Sequence, residues 1–166
     1  SAGCGSTMKE YDHLLASDAA YRDRARQFVA MTKDVLEFVA GHDLGRLGAV
    51  AAAVTYQDSC HLVHAQKVTA APRRVMAAIP RLELRELAAP DRCCGSAGLY
   101  RIGQRQMANR LLARKMDDVE TTGAAIIATA NPGCMMQLEA GLRQRGLEAR
   151  VVHVIELLDE AMRAAP

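Results

Sequence analysis

The chain has 166 residues, half of them apolar, with five cysteines, four tyrosines, two phenylalanines, no tryptophan and a formal charge of +2. That length suits one compact domain at roughly 100–200 residues each, and near-neutral charge with few aromatic rings gives nucleic-acid binding no support. No run of about 18 apolar residues reads as a membrane span and none reads as a signal peptide; an odd number of clustered thiols suits metal or redox roles in the cytosol better than a disulfide framework.

The chain opens on Ser1 rather than Met, with Cys4 almost at its edge, and reads as a piece whose upstream part is missing. Residues 6–15 read as a short helix after a Cys4 loop. Ser17 is placed to cap a longer helix, in which Tyr21, Ala25, Phe28, Val29, Val35, Leu36 and Val39 recur at helical spacing until Gly41 stops it. Residues 45–48 form a loop. From there strands and helices alternate: an apolar strand at 49–56, a helix at 69–78, a weaker strand at 82–87, and a helix from about 104 to 119 carrying Met107, Leu111, Leu112 and Met116. A strand at 124–130, a helix at 135–145 closed by Gly146, a strand at 150–154 and a last helix complete the series. This order predicts an α/β fold: one domain, a parallel four-stranded sheet flanked by helices, with a helical N-terminal extension.

Cys60 follows the first strand, the Cys93-Cys94 pair the second and Cys134 the third. Ligands of open parallel sheets collect at the carboxyl ends of strands, so all four thiols are expected on one edge. Helices expected after three of these loops favour the thiolate form that binds metal. Four converging thiolates suit a [4Fe-4S] cluster or tetrahedral zinc. Taken singly, each cysteine also fits a small buried apolar residue. Cys4 stands apart as a possible ligand of an upstream site.

Other candidates have plainer readings beside them. His61 and His64, one helical turn apart, suit metal binding, or capping and bonds to loop carbonyls. His13, His42 and His153 have no partner pattern. Arg101, Arg105, Arg110, Arg114 and Lys115 read as a solvated helix face, or as a docking surface. Met135 and Met136 read as core, and Gly95-Ser96-Ala97-Gly98 as a turn that lets the cysteine pair face inward rather than a phosphate loop. Residues 2–8, with a Gly-Cys step opening a helix that contains Met, echo residues 131–138 and suggest two related halves in a parent protein.

The words around the cysteines carry a resemblance. Tyr56-Gln57-Asp58-Ser59-Cys60-His61-Leu62-Val63-His64-Ala65-Gln66, Cys93-Cys94-Gly95-Ser96-Ala97-Gly98-Leu99-Tyr100 and Asn131-Pro132-Gly133-Cys134 resemble the motifs of the cysteine-rich (CCG) domain in glycolate oxidase iron-sulfur subunits. The wider family includes lactate-utilisation proteins and one of the subunits of heterodisulfide reductase. Residues 2–11 resemble the end of the first repeat of such an iron-sulfur protein. The resemblance therefore implies residues 1–48 as the end of a first repeat plus connecting helices, and 49–166 as a second, Rossmann-like CCG domain.

It also implies an electron-transfer iron-sulfur module of a flavin-dependent glycolate (2-hydroxy acid) dehydrogenase complex. The substrate is then oxidised on a flavin-containing partner subunit, and electrons run through this module and others of the complex toward a membrane quinone. The module is then cytoplasmic, peripheral at the inner membrane through its complex. Cys60, Cys93, Cys94 and Cys134 would hold the [4Fe-4S] cluster, with His61, Gly95, Gly133 and Gln137 around it. Zinc binding or metal-free subunit docking is the alternative, and disulfide-reductase-type thiol chemistry a third. The family spacing of one Cys, Cys-Cys and Cys-x-x-Cys is met with gaps of 32 and 39 residues, except that Gln137 stands where the last thiol belongs. Gln137 is therefore expected to limit the site to one four-thiol centre, more exposed than a five-thiol double cluster.

Overall fold

The computed structural model describes residues 1–166. Strands β1 (Ala52–Gln57), β2 (Leu82–Leu84), β3 (Ile126–Thr129) and β4 (Arg150–His153) form one sheet in the order β2-β1-β3-β4, and every pairing is parallel. Burial on both faces explains why β1 and β3 read as short apolar runs. β2 is shorter than its sequence suggests: it ends at Leu84, although the Arg85 amide still donates to Val54 O of β1.

Alternation along the strands sends side chains to opposite faces. Val54, Tyr56, Ile126, Ala128 and Val152 pack in a 17-residue core with α5 (Ala70–Ala77) and α9 (Val154–Arg163). Ile127 and Val151 pack beneath α7 (Arg105–Thr122) and α8 (Pro132–Arg145) in a smaller core with Leu112, Met116 and Leu138. The chain thus winds from β1 to β2 over one face, then to β3 and β4 over the other. The direction reverses between β1 and β3, and such a switch point opens a crevice at the carboxyl ends of the strands.

The N-terminal extension is helical but more broken than the apolar spacing predicts. α1 (Ala2–Met8) contains Cys4, which lies exposed on a helix and not in a loop. After α2 (Tyr11–Leu14), the expected long helix divides into α3 (Arg22–Met31) and α4 (Val35–Val39). Asp34 causes the division: its carboxylate accepts from Leu36 N, and the Glu37 carboxylate accepts from Asp34 N, a capping box that starts a new helix. Ser17 makes no cap, and the helix starts only after Tyr21. Ala2 is buried, its amide donating to Ala130 O and its carbonyl accepting from Gln66 Nε2, so α1 is fastened to the strand-end edge.

Candidate metal centre at the strand ends

Cys60 leaves β1 through Asp58 and Ser59 and opens a single π-helical turn, His61–Ala65, in which Gln66 N donates to His61 O. Cys134 leaves β3 and sits in the first turn of α8, behind Pro132. These two flank the switch point. Cys93 and Cys94 lie in a long loop after β2. The four-residue α6 (Tyr100–Gly103) begins well beyond them, so no helix N-terminus points at the pair.

That loop is drawn over the crevice by specific bonds. Asp58 N donates to Pro90 O, and Gln57 Nε2 donates to Arg92 O. From α7, Asp118 accepts the amides of Ala88 (2.8 Å) and Ala89 (3.0 Å), while Lys115 Nζ donates to Ala89 O at 2.6 Å and to Pro90 O at 3.3 Å. Lys115, expected on a solvated face, is instead 0 % exposed, and burial lowers its pKa to about 8. Arg73 of α5 grips Asp58 with two nitrogens and Glu86 with two bonds, and lies over the Tyr56 ring. The exits of β1 and β2 are thereby tied together.

The four cysteine side chains form one connected file, Cys60 to Cys93 to Cys94 to Cys134. Cys94 and Cys134 are buried, and Cys60 and Cys93 half-buried. The direction in which each thiol's pKa moves alternates along the file. The thiols of Cys60 and Cys94, with the Gly95 amide, hold Cys93 as a thiolate with its pKa lowered to about 2. Cys94 and the Asn131 amide, 3.7 Å away, lower that of Cys134. Cys60 and Cys94 are raised by the neighbours to which they donate and by burial. Adjacent sulfurs cannot all carry charge without a cation among them.

The remaining candidates separate cleanly. His61 Nδ1 lies 3.5 Å from Cys60 Sγ, and His64 lies 3.8 Å from the Asp91 carboxylate; neither bonds to a loop carbonyl. His153 caps α9, its Nδ1 accepting from Ile155 N. His42 Nδ1 bonds Phe38 O, and exposed Met136 is not core. Gly95 has φ +82°, and a β-carbon there would collide with the Ala108 carbonyl of α7. One at Gly133 would come within 2.9 Å of Ser96 Oγ. Cys4 stays outside the file. Sequence reasoning missed Arg73, Asp118 and Asn131, whose partners are loop backbone or distant carboxylates and leave no local pattern.

Whether the site suits a metal group can be judged from its donors. Four thiols, with Cys93 and Cys134 both shifted toward the thiolate, match iron-sulfur ligation in kind. Gln137, 1 % exposed, has neither amide atom bonded, while the buried Ser59 Oγ lies against the Cys134 thiol. Such an orphaned amide is costly and is normally met by something. No group of three or more His, Cys, Asp or Glu side chains closes around a single ion. The donor types of Cys60, Cys93, Cys94 and Cys134 would fit an iron-sulfur group, which would supply one-electron chemistry there.

A family model for the cysteine-rich CCG domain matches residues 54–139, which bracket all four cysteines of the file. The chain belongs to the cysteine-rich CCG domain family. This CCG domain is 41 % identical over 164 residues to the probable glycolate oxidase iron-sulfur subunit of Bacillus subtilis (strain 168), covering 96 % of this chain and 37 % of that protein. It is 28 % identical over 167 residues to lactate utilization protein A of Exiguobacterium sp. (strain ATCC BAA-1283 / AT1b), covering 99 % and 68 %. The corresponding Bacillus subtilis protein is 26 % identical over 163 residues. The CCG chain therefore spans little more than a third of the first of these relatives.

Proposed function

We propose that this CCG domain is the cluster-binding part of an iron-sulfur electron-transfer subunit, in a flavin-dependent dehydrogenase acting on glycolate or another 2-hydroxy acid. The observation that carries the reading is the file of four cysteines across the switch point. Relatives named as iron-sulfur and lactate-utilisation proteins support it. On this reading Cys60, Cys93, Cys94 and Cys134 hold one [4Fe-4S] cluster. Gly95 N and Asn131 Nδ2 donate to ligand sulfurs, and the unpartnered Gln137 amide is available to do the same. Bonds of this kind set a cluster's potential. The cluster, when bound, supplies one-electron storage, while hydride chemistry belongs to a flavin on a different polypeptide. Residues 1–48 close a first repeat and 49–166 form the second. No helix is long and apolar enough to cross a membrane, and the reading places the domain at the inner membrane only through its complex.

A second reading, thiol–disulfide chemistry, rests on Cys93: a half-buried thiolate in contact with Cys60. Anaerobic reconstitution separates the two, and zinc as well. Electron transfer predicts about four irons per chain, a visible band near ~400 nm, and a paramagnetic signal on reduction. Serine at any of the four file positions should remove these, and Cys4→Ser should leave them. Zinc without iron supports a structural role, and a metal-free Cys60–Cys93 disulfide supports thiol chemistry.

A further inference from the structure

The 25 residues from Arg92 to Met116 contain six cations and no Asp or Glu. The rest of the chain holds the other 15 cations and all 19 carboxylates, and is net negative. Charge is therefore separated, with the positive part lying over the cysteine loop. Within it Lys115 is buried, but Arg101, Arg105, Arg110 and Arg114 are exposed and belong to none of the molecule's ion pairs. Most arginines elsewhere are engaged: Arg145 bridges Asp117 and Glu120, and Arg150 meets Glu160 with both terminal nitrogens, whereas Arg24, Arg46, Arg74 and Arg81 are also unpaired.

The same surface is apolar as well as basic. Leu99 is 84 % exposed and Ile102 75 %, with Tyr100 and Met107 beside them in sequence, also exposed. Met107, Arg110, Leu111 and Arg114 line a shallow open crevice along α7. Gly95 fits against the Ala108 backbone, so the first turns of α7 lie directly on the Cys-Cys-Gly loop. As far as Met116 this face offers arginine, tyrosine and methionine without exposed lysine or carboxylate, the make-up of a protein interface, and the exposed carboxylates that follow, Asp117 and Glu120, are paired with Arg145. Lipid-surface patches draw on lysine as readily as arginine, and one aromatic ring is too few for a base-stacking platform.

We propose that the α6–α7 face is a docking surface for a protein partner whose matching surface is acidic around an apolar centre. Opposite charges would steer the encounter and fix its register, and the partner would arrive on the Cys93–Cys94 side of the site. This rests on the reading of the domain as part of a complex, but not on which metal it holds.

Photo-crosslinking in the native host tests it, with p-benzoylphenylalanine at Ile102 of the full-length protein and, as a control, at exposed Met162 on α9. The expected result is one protein adduct at Ile102, absent at Met162, whose cross-linked peptide is net negative. Arg105→Glu with Arg110→Glu should reduce it at least tenfold, and exchanging two carboxylates of that peptide for lysines should restore it. Circular dichroism verifies folding of the double variant, and Arg114→Glu alone serves if it fails. An adduct that ignores these reversals, or no adduct, overturns the proposal. So does a lipid adduct accompanied by arginine-dependent binding to phosphatidylglycerol vesicles. Retention of the protein adduct in a Cys60→Ser, Cys134→Ser chain lets docking survive a failure of cluster ligation.

Discussion

Lys115 shows how much a single side chain can hold in place. Its ammonium supports the loop through Ala89 and Pro90 while surrendering its own hydration. Burial lowers its pKa from 10.5 to about 8, so below pH 8 both folded and unfolded chains carry the proton and the penalty is complete. Between about 8 and 10.5 the folded form releases its proton first and the penalty is relieved, so stability rises with pH. Denaturant titrations of the protein against Lys115→Met across that window should show a relative gain on the order of 3 kcal/mol. A flat difference would mean that the amine is hydrated. Gln137 has the opposite character: a buried amide with neither atom bonded, left free on the proposed reading to meet a ligand sulfur.

Among the elements, the contact between the cysteine loop and α7 is the tightest constraint on the site. Gly95 and Gly98 both have positive φ, but only Gly95 has a backbone carbonyl where its β-carbon would be. Gly98→Ala should therefore cost about 1 kcal/mol, for conformation alone. Gly95→Ala should cost roughly 3 kcal/mol, since overpacking adds to strain, and should also halve retained iron or worse. Equal losses in melting experiments would show that the loop shifts freely. The strands were legible as buried apolar runs because parallel strands are covered on both faces, and the edge shared by the cysteines followed from where βα turns emerge. The division at Asp34 was missed because the apolar spacing continues across it, although Asp34-Val35-Leu36-Glu37 carries the local pattern of a capping box. Lys115 was not legible, since its partners are carbonyls that any residue supplies.

Across the whole molecule, Arg73 joins parts that no single element unites: α5 beneath it, the exit of β1 through Asp58, and the exit of β2 through Glu86. The Asp58 side chain is only 8 % exposed, so removing the guanidinium strands a buried carboxylate. Arg73→Ala should cost about 3 kcal/mol in urea unfolding. Arg73→Lys should recover less than half of that, because an ammonium cannot grip two carboxylates as a planar fork does. Full recovery by lysine would reduce the role to charge alone.

A sheet with no antiparallel pair contains no hairpin to fold early. The shortest link between paired residues, Ile126 to Arg150, spans 24 positions, and β1 meets β3 across 72, from Val54 to Ile126. Each closure spends chain entropy before any contact repays it, which makes such topologies slow to fold. Cys60 and Cys134 are 74 residues apart and meet only when β1 has found β3. A newly made chain therefore presents scattered thiols, not a site, and on the iron-sulfur reading proposed above whatever delivers iron must wait for the finished edge. The donor's recognition target is then a folded surface, and a short cysteine peptide cut from this sequence should be invisible to it.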